Sequence, residues 1–485
     1  MSRSRALMLA LASAVLASVH GAMTPMAWLD SAHVAMRYAR RISDDGTLRL
    51  LGQAEPIEAF ADPLWTALLS MMGAFRIHEM KVQPFLGPAL FALVVGMAVL
   101  WVGRARSRPS GVVYVALLAT SPVLALAARS GSDDVFVALL MVASAWGCAL
   151  GVRWAVFPLV GLALCGVFPL LVAAGLAASH SRRAVAWVAG AVLALTTARW
   201  VLFGTLFPHA GLRMLEHMGT STLVSAAQLV PASLGLAAVG LIALWRSNES
   251  VWPVAWPLGA GVLWALFLSP DAHDFAAALA PILPLTGVAA ALGLSLMPRS
   301  GLLLSAACLT LLGTDIRVGF GAQDEVIRER KLERSRAKTM SKFLRWRFAD
   351  GATVVVQTPG MLPYFLRMPT IDLQGLSHRE STDQATMQAL DPEAMIPLGQ
   401  IVASQPVRLS MAPGWDWKRL AETHVQHAIM QSKDWELVPA HPTWFNLYMR
   451  ESLPKYPPKW VEIYAREEAA RAAGKKREED EASAR

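Results

Sequence analysis

Charge is scarce in this chain. Asp, Glu, Lys and Arg together make up 16% of its 485 residues, while hydrophobic residues reach 54%. A water-soluble protein of that length carries more polar cover, so the composition points into a lipid bilayer. Cysteine is nearly absent too. Cys148, Cys165 and Cys308 all lie in apolar runs, with neither disulfide nor zinc-ligand spacing. No internal repeat of roughly 20 to 50 residues is visible, which removes repeat architectures and weakens a reading as an inverted-repeat transporter or flippase. The formal charge of +8 needs no nucleic-acid partner. Most of the basic residues sit in short loops between apolar runs, where membrane orientation accounts for them.

What is abundant is apolar sequence. Segments fall near 6–29, 84–102, 111–128, 135–151, 155–178, 184–203, 223–245, 253–269, 275–297 and 301–319. Most reach the roughly 20 residues that cross a hydrocarbon core. The expected architecture is a polytopic α-helical membrane domain over 1–320, with about ten or eleven membrane segments. Pro63 to Ile77 is short and reads as a partial or interfacial helix. In "LCGVFPLL", Gly166 and Pro169 predict a break into two half-spans, tolerated only where freed backbone groups face protein or a water-filled cavity.

Orientation follows from basic clusters. "SRSR" precedes the first segment, so the N-terminus is expected in the cytoplasm, together with 103–108, Arg153, 180–183, Arg246 and Arg299. The first apolar run continues to Leu29 past a poor cleavage site, "SVHGAM", so a retained anchor is expected over a cleaved signal peptide. The opposite face then receives the first outer loop 30–62, "RSGSDD" (129–134), "FGTLFPHAGLRM" (203–214), "PDAHD" (270–274) and everything after about 320. Residues 321–460 read as an extracytoplasmic α/β domain, with strands at "ATVVVQTPG" and "WFNLYMR", and 461–485 as a charged tail.

Four of these outer stretches carry reactive side chains. Asp30, His33 and Arg37 stand at i, i+3 and i+7, one helix face. Two readings stay open. In one, Asp30 or Ser31 caps the helix while the arginines anchor at headgroup level. In the other, Asp30 is a general base and Arg37, Arg40 and Arg41 hold a phosphate. Asp133 and Asp134 precede an apolar run, where an N-cap is the plainer reading. Asp271, His273 and Asp274 have the donor atoms for a metal, though such a trio is common by chance. Arg199, His209 and Arg213 mix with turn residues at a membrane surface. Polar groups converging on one membrane face make a site hypothesis in themselves.

The run "LDSAHVAMRYARRISDDGTLRLLGQAEPIEAFADPLWTALLS" resembles the first outer loop of bacterial GT-C membrane glycosyltransferases. That loop has the pattern Asp-Asp-Ala-Tyr-Ile, Arg-Tyr-Ala, a Gly-rich stretch, Glu-Gly-Tyr-Thr and Pro-Leu-Trp. The match falls at Asp30, Ala32, Arg37, Tyr38, Ala39, Glu58, Pro63, Leu64 and Trp65. "SGSDD" resembles Ser-Gly-Leu-Glu-Thr, with Asp133 in the acidic position. Arg199, Gly204 and Pro208 match a third stretch, with Arg213 in place of lysine; Asp271, Pro281 and Pro284 match a fourth. "TPGMLPYF" followed by "TIDLQGLS" matches the soluble part, including Tyr364 and Asp372.

The resemblance implies transfer of a sugar from a polyprenyl-phosphate carrier to a glycan, lipid or protein acceptor of the cell envelope, at the outer face of a bacterial plasma membrane. It implies Asp30 as general base and Arg37, Arg199 and Arg213 as contacts for the donor phosphate. Glu58, Asp133, Asp271 and His273 become candidates to position acceptor hydroxyls or a divalent metal cation. There are departures. The second aspartate of the pattern is Ser31, a charged Arg-Pro-Glu-Gly is replaced by "VFPL", an expected asparagine is His209 and an expected arginine is Ala277. They keep a second reading open, a GT-C-like scaffold without catalysis that binds a polyprenyl lipid or envelope-assembly partners.

Overall fold

The computed structural model describes residues 2–207 apart from short gaps, then parts of 237–267, 280–296, parts of 320–345, and the pieces 354–356, 360–372, 394–395, 435–439 and 446–450. The segments expected at 223–245 and 301–319 therefore lie largely or wholly outside the described residues, as does the tail 461–485. The chain divides into two compact units, one of Met1–Leu48 with Glu58–Glu333, the other of Arg49–Ile57 with Arg334–Arg485.

The first unit is helical: α1 Arg3–Met23, α2 Asp30–Asp45, α3 Pro63–Ala74, α4 Glu79–Arg104, α5 Pro109–Ala116, α6 Pro122–Ala128, α7 Asp134–Ala149, α8 Val156–Ala163, α9 Val167–His180, α10 Arg182–Phe203, α11 Trp252–Phe267 and α12 Leu283–Leu296. Among the described residues α1, α4 and α10 are long and apolar enough to cross a membrane; α5 and α6, bent by 49° at Ser121, add a fourth if they form one span. The bend has a local cause. Pro122 opens α6, while the Ser121 hydroxyl caps it by accepting from Leu124 N–H at 3.3 Å. α1 stops at Met23, short of the Leu29 expected from apolarity. Residues 24–29 instead pass in non-helical backbone to the start of α2.

α4 contains Pro84 and Pro88. Pro88 has no N–H, so the carbonyl of Pro84 loses its helical donor. Arg129 replaces it, donating from Nη1 at 2.7 Å. Beside this contact α4 approaches the end of α6 so closely that a Cβ on Gly87 would lie 1.8 Å from the Ala128 carbonyl oxygen. The expected break is present between α8 and α9. Gly166 sits at φ 138° and ψ −173°, a region essentially closed to other residues, and Pro169 falls in the first turn of α9, where it is tolerated.

The second unit holds β1 Val354–Val356, α13 Met361–Leu366, β2 Thr370–Asp372, β3 Ala394–Met395, β4 Trp435–Pro439 and β5 Asn446–Arg450. The sheet order is β2-β1-β3-β5-β4. β1 pairs parallel with β2 and β3; β5 pairs antiparallel with β3 and β4. The valine run of "ATVVVQTPG" supplies β1, and "NLYMR" supplies β5. Within this unit Thr370 N–H donates to the Leu51 carbonyl at 3.3 Å, so the outer-loop segment 49–57 joins the edge of β2.

Candidate functional site

Backbone pairing sets Asp30 in place. The N–H groups of Ala27 and Leu29 donate to the carbonyls of Arg129 and Ser130, each at 2.9 Å, which lays the approach to α2 along the loop between α6 and α7. Gly131 makes that approach possible. Its φ is +80°, and a Cβ there would meet the Trp28 ring at 2.7 Å. α2 then begins at Asp30 with Leu29 in the N-cap position, so neither Asp30 nor Ser31 caps the helix as the plainer sequence reading had it. Asp30 stands in the first turn, where its charge suits the positive end of the helix dipole.

His33 and Arg37 follow on the buried side of α2. His33 donates from Nδ1 to the Leu29 carbonyl at 2.8 Å, and its ring packs on Trp28. Arg37 is only 8% exposed, so it is not a headgroup anchor. Of its two basic neighbours, Arg40 pairs with Glu79 at 2.8 Å and Arg41 with Asp45.

The segment 58–60 lies against α2 and α10. Ala59 N–H donates to the Tyr38 hydroxyl at 3.4 Å, the Phe60 ring meets Tyr38 edge-on at 4.8 Å, and Phe203 packs behind it. This buries Glu58, 1% exposed, against Arg199 near the end of α10. Arg199 Nε donates to both carboxylate oxygens, at 3.0 and 2.8 Å, and its Nη2 is buried without a partner. Burial raises the Glu58 pKa, and the Arg199 contacts offset only part of that. The sequence offered these two residues for different tasks; the structure brings them together as an ion pair.

A second pair lies four residues on. Asp62 precedes Pro63 at the head of α3, Asp133 precedes Asp134 at the head of α7, and neither side chain caps its helix. The two carboxyls instead lie close enough to raise each other's cost of ionising. Burial raises Asp62 well above the usual carboxylate range, with the Asp133 charge adding to it; burial also lifts Asp133 to about 6. The junction is reinforced by Trp65 against Phe136 at 5.5 Å and by Leu64 N–H donating to Leu164 O at 3.2 Å, at the α8–α9 break. Asp62 was missed from sequence because an acid before a proline that opens a helix reads as a cap.

Among the described residues no group of three or more His, Cys, Asp or Glu is placed to hold a metal. Glu58 and Asp133, both metal candidates from sequence, each have a partner that occupies them. Arg213, Asp271 and His273, with His209 and Ala277, lie outside the described residues. Tyr364, 3% exposed on α13, and Asp372 at the end of β2 belong to the second unit.

The comparisons bear on this arrangement. Over 91% of this chain and 97% of the other, the structure aligns with ArnT from Cupriavidus metallidurans in the apo state, at TM-score 0.60 and 12% identity. The same protein bound to undecaprenyl phosphate aligns over 92% and 98%, at TM-score 0.55 and 12% identity. The chain has a GT-C-like fold. Arabinofuranosyltransferase AftD from Mycobacteria gives TM-score 0.47 at 16% identity, over 93% of this chain and 40% of that one. Residues 324–465 match a family model described as a domain of unknown function, DUF8728. No curated protein matches the chain in sequence.

Proposed function

We propose that this chain is a membrane glycosyltransferase of a bacterial plasma membrane, moving a sugar from a polyprenyl-phosphate donor to a cell-envelope glycan, lipid or protein acceptor at the outer face. The observation that carries the reading is the near full-length likeness to ArnT, a protein also solved with undecaprenyl phosphate bound. It is supported by the convergence of the acidic and basic outer-loop residues in one region of the helical unit. In this reading the N-terminus is cytoplasmic and the second unit is an extracytoplasmic α/β domain.

The chemistry needs a base for the acceptor hydroxyl and cations for the departing lipid phosphate. Asp30, held by the 27–29 ladder at the mouth of α2, is the base. Arg37, Arg199 and Arg213 contact the phosphate. Because Glu58 neutralises Arg199, the contribution of Arg199 is its buried, unpartnered Nη2, a directed donor more than a free charge. Asp133, Asp271 and His273 position the acceptor; any divalent metal would depend on Asp271 and His273.

One observation favours the scaffold reading: Glu58 with Arg199, and Asp62 with Asp133, are each satisfied within the protein. The test is turnover in lipid nanodiscs with a panel of polyprenyl-phosphate sugars, with and without divalent metal, for wild type and Asp30→Asn. The transferase reading expects wild-type turnover that falls by about 100-fold or more in the mutant. Donor binding without turnover in either protein would leave the lipid-binding scaffold.

A further inference from the structure

Arg129 entered neither the sequence reading nor the reaction above. It lies in the outer loop that carries Asp133, and its own carbonyl forms one rung of the ladder leading to Asp30. Its guanidinium is partly buried. Nη1 is spent on the orphaned carbonyl of Pro84, and Nε is buried with no partner. Arg40, Arg41 and Arg199 each face a carboxylate, of Glu79, Asp45 and Glu58. Arg129 has none within ion-pair reach among the described residues. Burial lowers its pKa, with no acid opposing the shift, from a value so high that the group stays charged.

Capping a carbonyl requires only a neutral donor. A full charge, partly withdrawn from water and with no counter-charge among the described residues, is an unfavourable way to supply one. An anion arriving at this loop would relieve that penalty, and a phosphate, like a carboxylate, matches the guanidinium fork. We propose that Arg129, whose backbone carbonyl anchors the 27–29 approach to Asp30, is a binding residue for the phosphate of a polyprenyl-phosphate lipid. The proposal rests on the transferase reading for its choice of ligand, but its test does not depend on turnover.

The experiment is binding by the full chain in nanodiscs, with undecaprenyl phosphate as probe, undecaprenol as neutral control and phosphatidylglycerol as the competing headgroup source. In Arg129→Gln the amide still donates to Pro84, so the thermal midpoint should hold. Affinity for undecaprenyl phosphate should fall about 10- to 100-fold, the range of a lost charged hydrogen bond, with undecaprenol unaffected. Arg129→Lys keeps the charge but loses the planar fork, so its affinity should fall by about 3- to 10-fold, less than in Arg129→Gln. Wild-type affinity in Arg129→Gln would overturn the proposal. So would an equal loss for phosphatidylglycerol, which would make Arg129 a general headgroup anchor. If Arg129→Gln does not fold, Arg129→Lys decides: a loss for undecaprenyl phosphate that spares undecaprenol supports the phosphate contact, and wild-type affinity overturns it. A wild type that binds the carrier lipid and never turns over a sugar sinks the transferase reading alone.

Discussion

Glu58 and Asp62 are two acids four residues apart in one loop, the first buried and the second half-buried, and the fold treats them in opposite ways. Glu58 meets a guanidinium that donates to both of its oxygens. Asp62 meets another carboxyl, whose charge adds to the rise that burial imposes on its pKa. The first is a long-range ion pair between the loop and α10; the second joins the heads of α3 and α7. Local sequence cannot tell these acids apart, because the difference lies wholly in what arrives from elsewhere in the chain. For each carboxyl, burial raises the pKa and the partner decides the outcome.

The largest expected effect comes from removing the cation of the first pair. Arg199→Ala leaves Glu58 buried and unpaired, which should destabilise the unit by about 3–5 kcal/mol, as for other broken buried pairs. Thermal or denaturant unfolding in detergent would measure it. Adding Glu58→Gln should recover a substantial part; an unchanged double mutant would mean that packing, not charge, dominates at this contact.

The second pair should respond to pH. Asp62 and Asp133 both titrate higher in the fold than the ordinary aspartate value of 3.8. The folded chain therefore binds their protons more tightly than the unfolded chain. The pair's contribution is full below about pH 4 and is lost as pH rises through about 6, where Asp133 ionises, and further as Asp62 follows. Asp62→Asn keeps a donor to Asp133 and removes the like charge. Between about pH 5 and pH 8 its thermal midpoint should fall less than that of wild type, by about 2–4 °C. Parallel curves for the two proteins would show that the pair holds no proton.

Two smaller changes probe how the pairs are held. Gly131→Ala puts a side chain at positive φ against Trp28 and should cost about 1–2 kcal/mol. With the 27–29 ladder strained, proteolysis near Asp30 should increase. Tyr38→Phe removes only the hydroxyl that accepts from Ala59 N–H, and should cost about 0.5–1.5 kcal/mol in the same unfolding measurement.

Much of the fold was legible as pattern. Pro63 at the head of a short apolar run gave α3, and Gly166 with Pro169 gave the break between α8 and α9. The apolar pattern overran at residues 24–29, because Trp28 and Leu29 are buried by packing against the 129–131 loop rather than by a continuing helix. Of the site, the sequence marked Asp30, Arg37, Glu58, Asp133 and Arg199 as polar residues on one face. It could not show that Glu58 and Arg199 neutralise each other, nor that Asp62 belonged with them. Arg129 was hidden behind the two acids that follow it in its own loop.

Composition and periodicity by themselves determined that this chain is a helical membrane protein, because helix length, proline and glycine act through neighbours only a few residues away. Which acid meets a guanidinium, which meets another carboxyl and which arginine faces no carboxylate among the described residues were decided only by the tertiary structure. Those outcomes depend on burial and on partners tens of residues apart, and electrostatic energy in a region poor in water depends on distance in space, not along the chain.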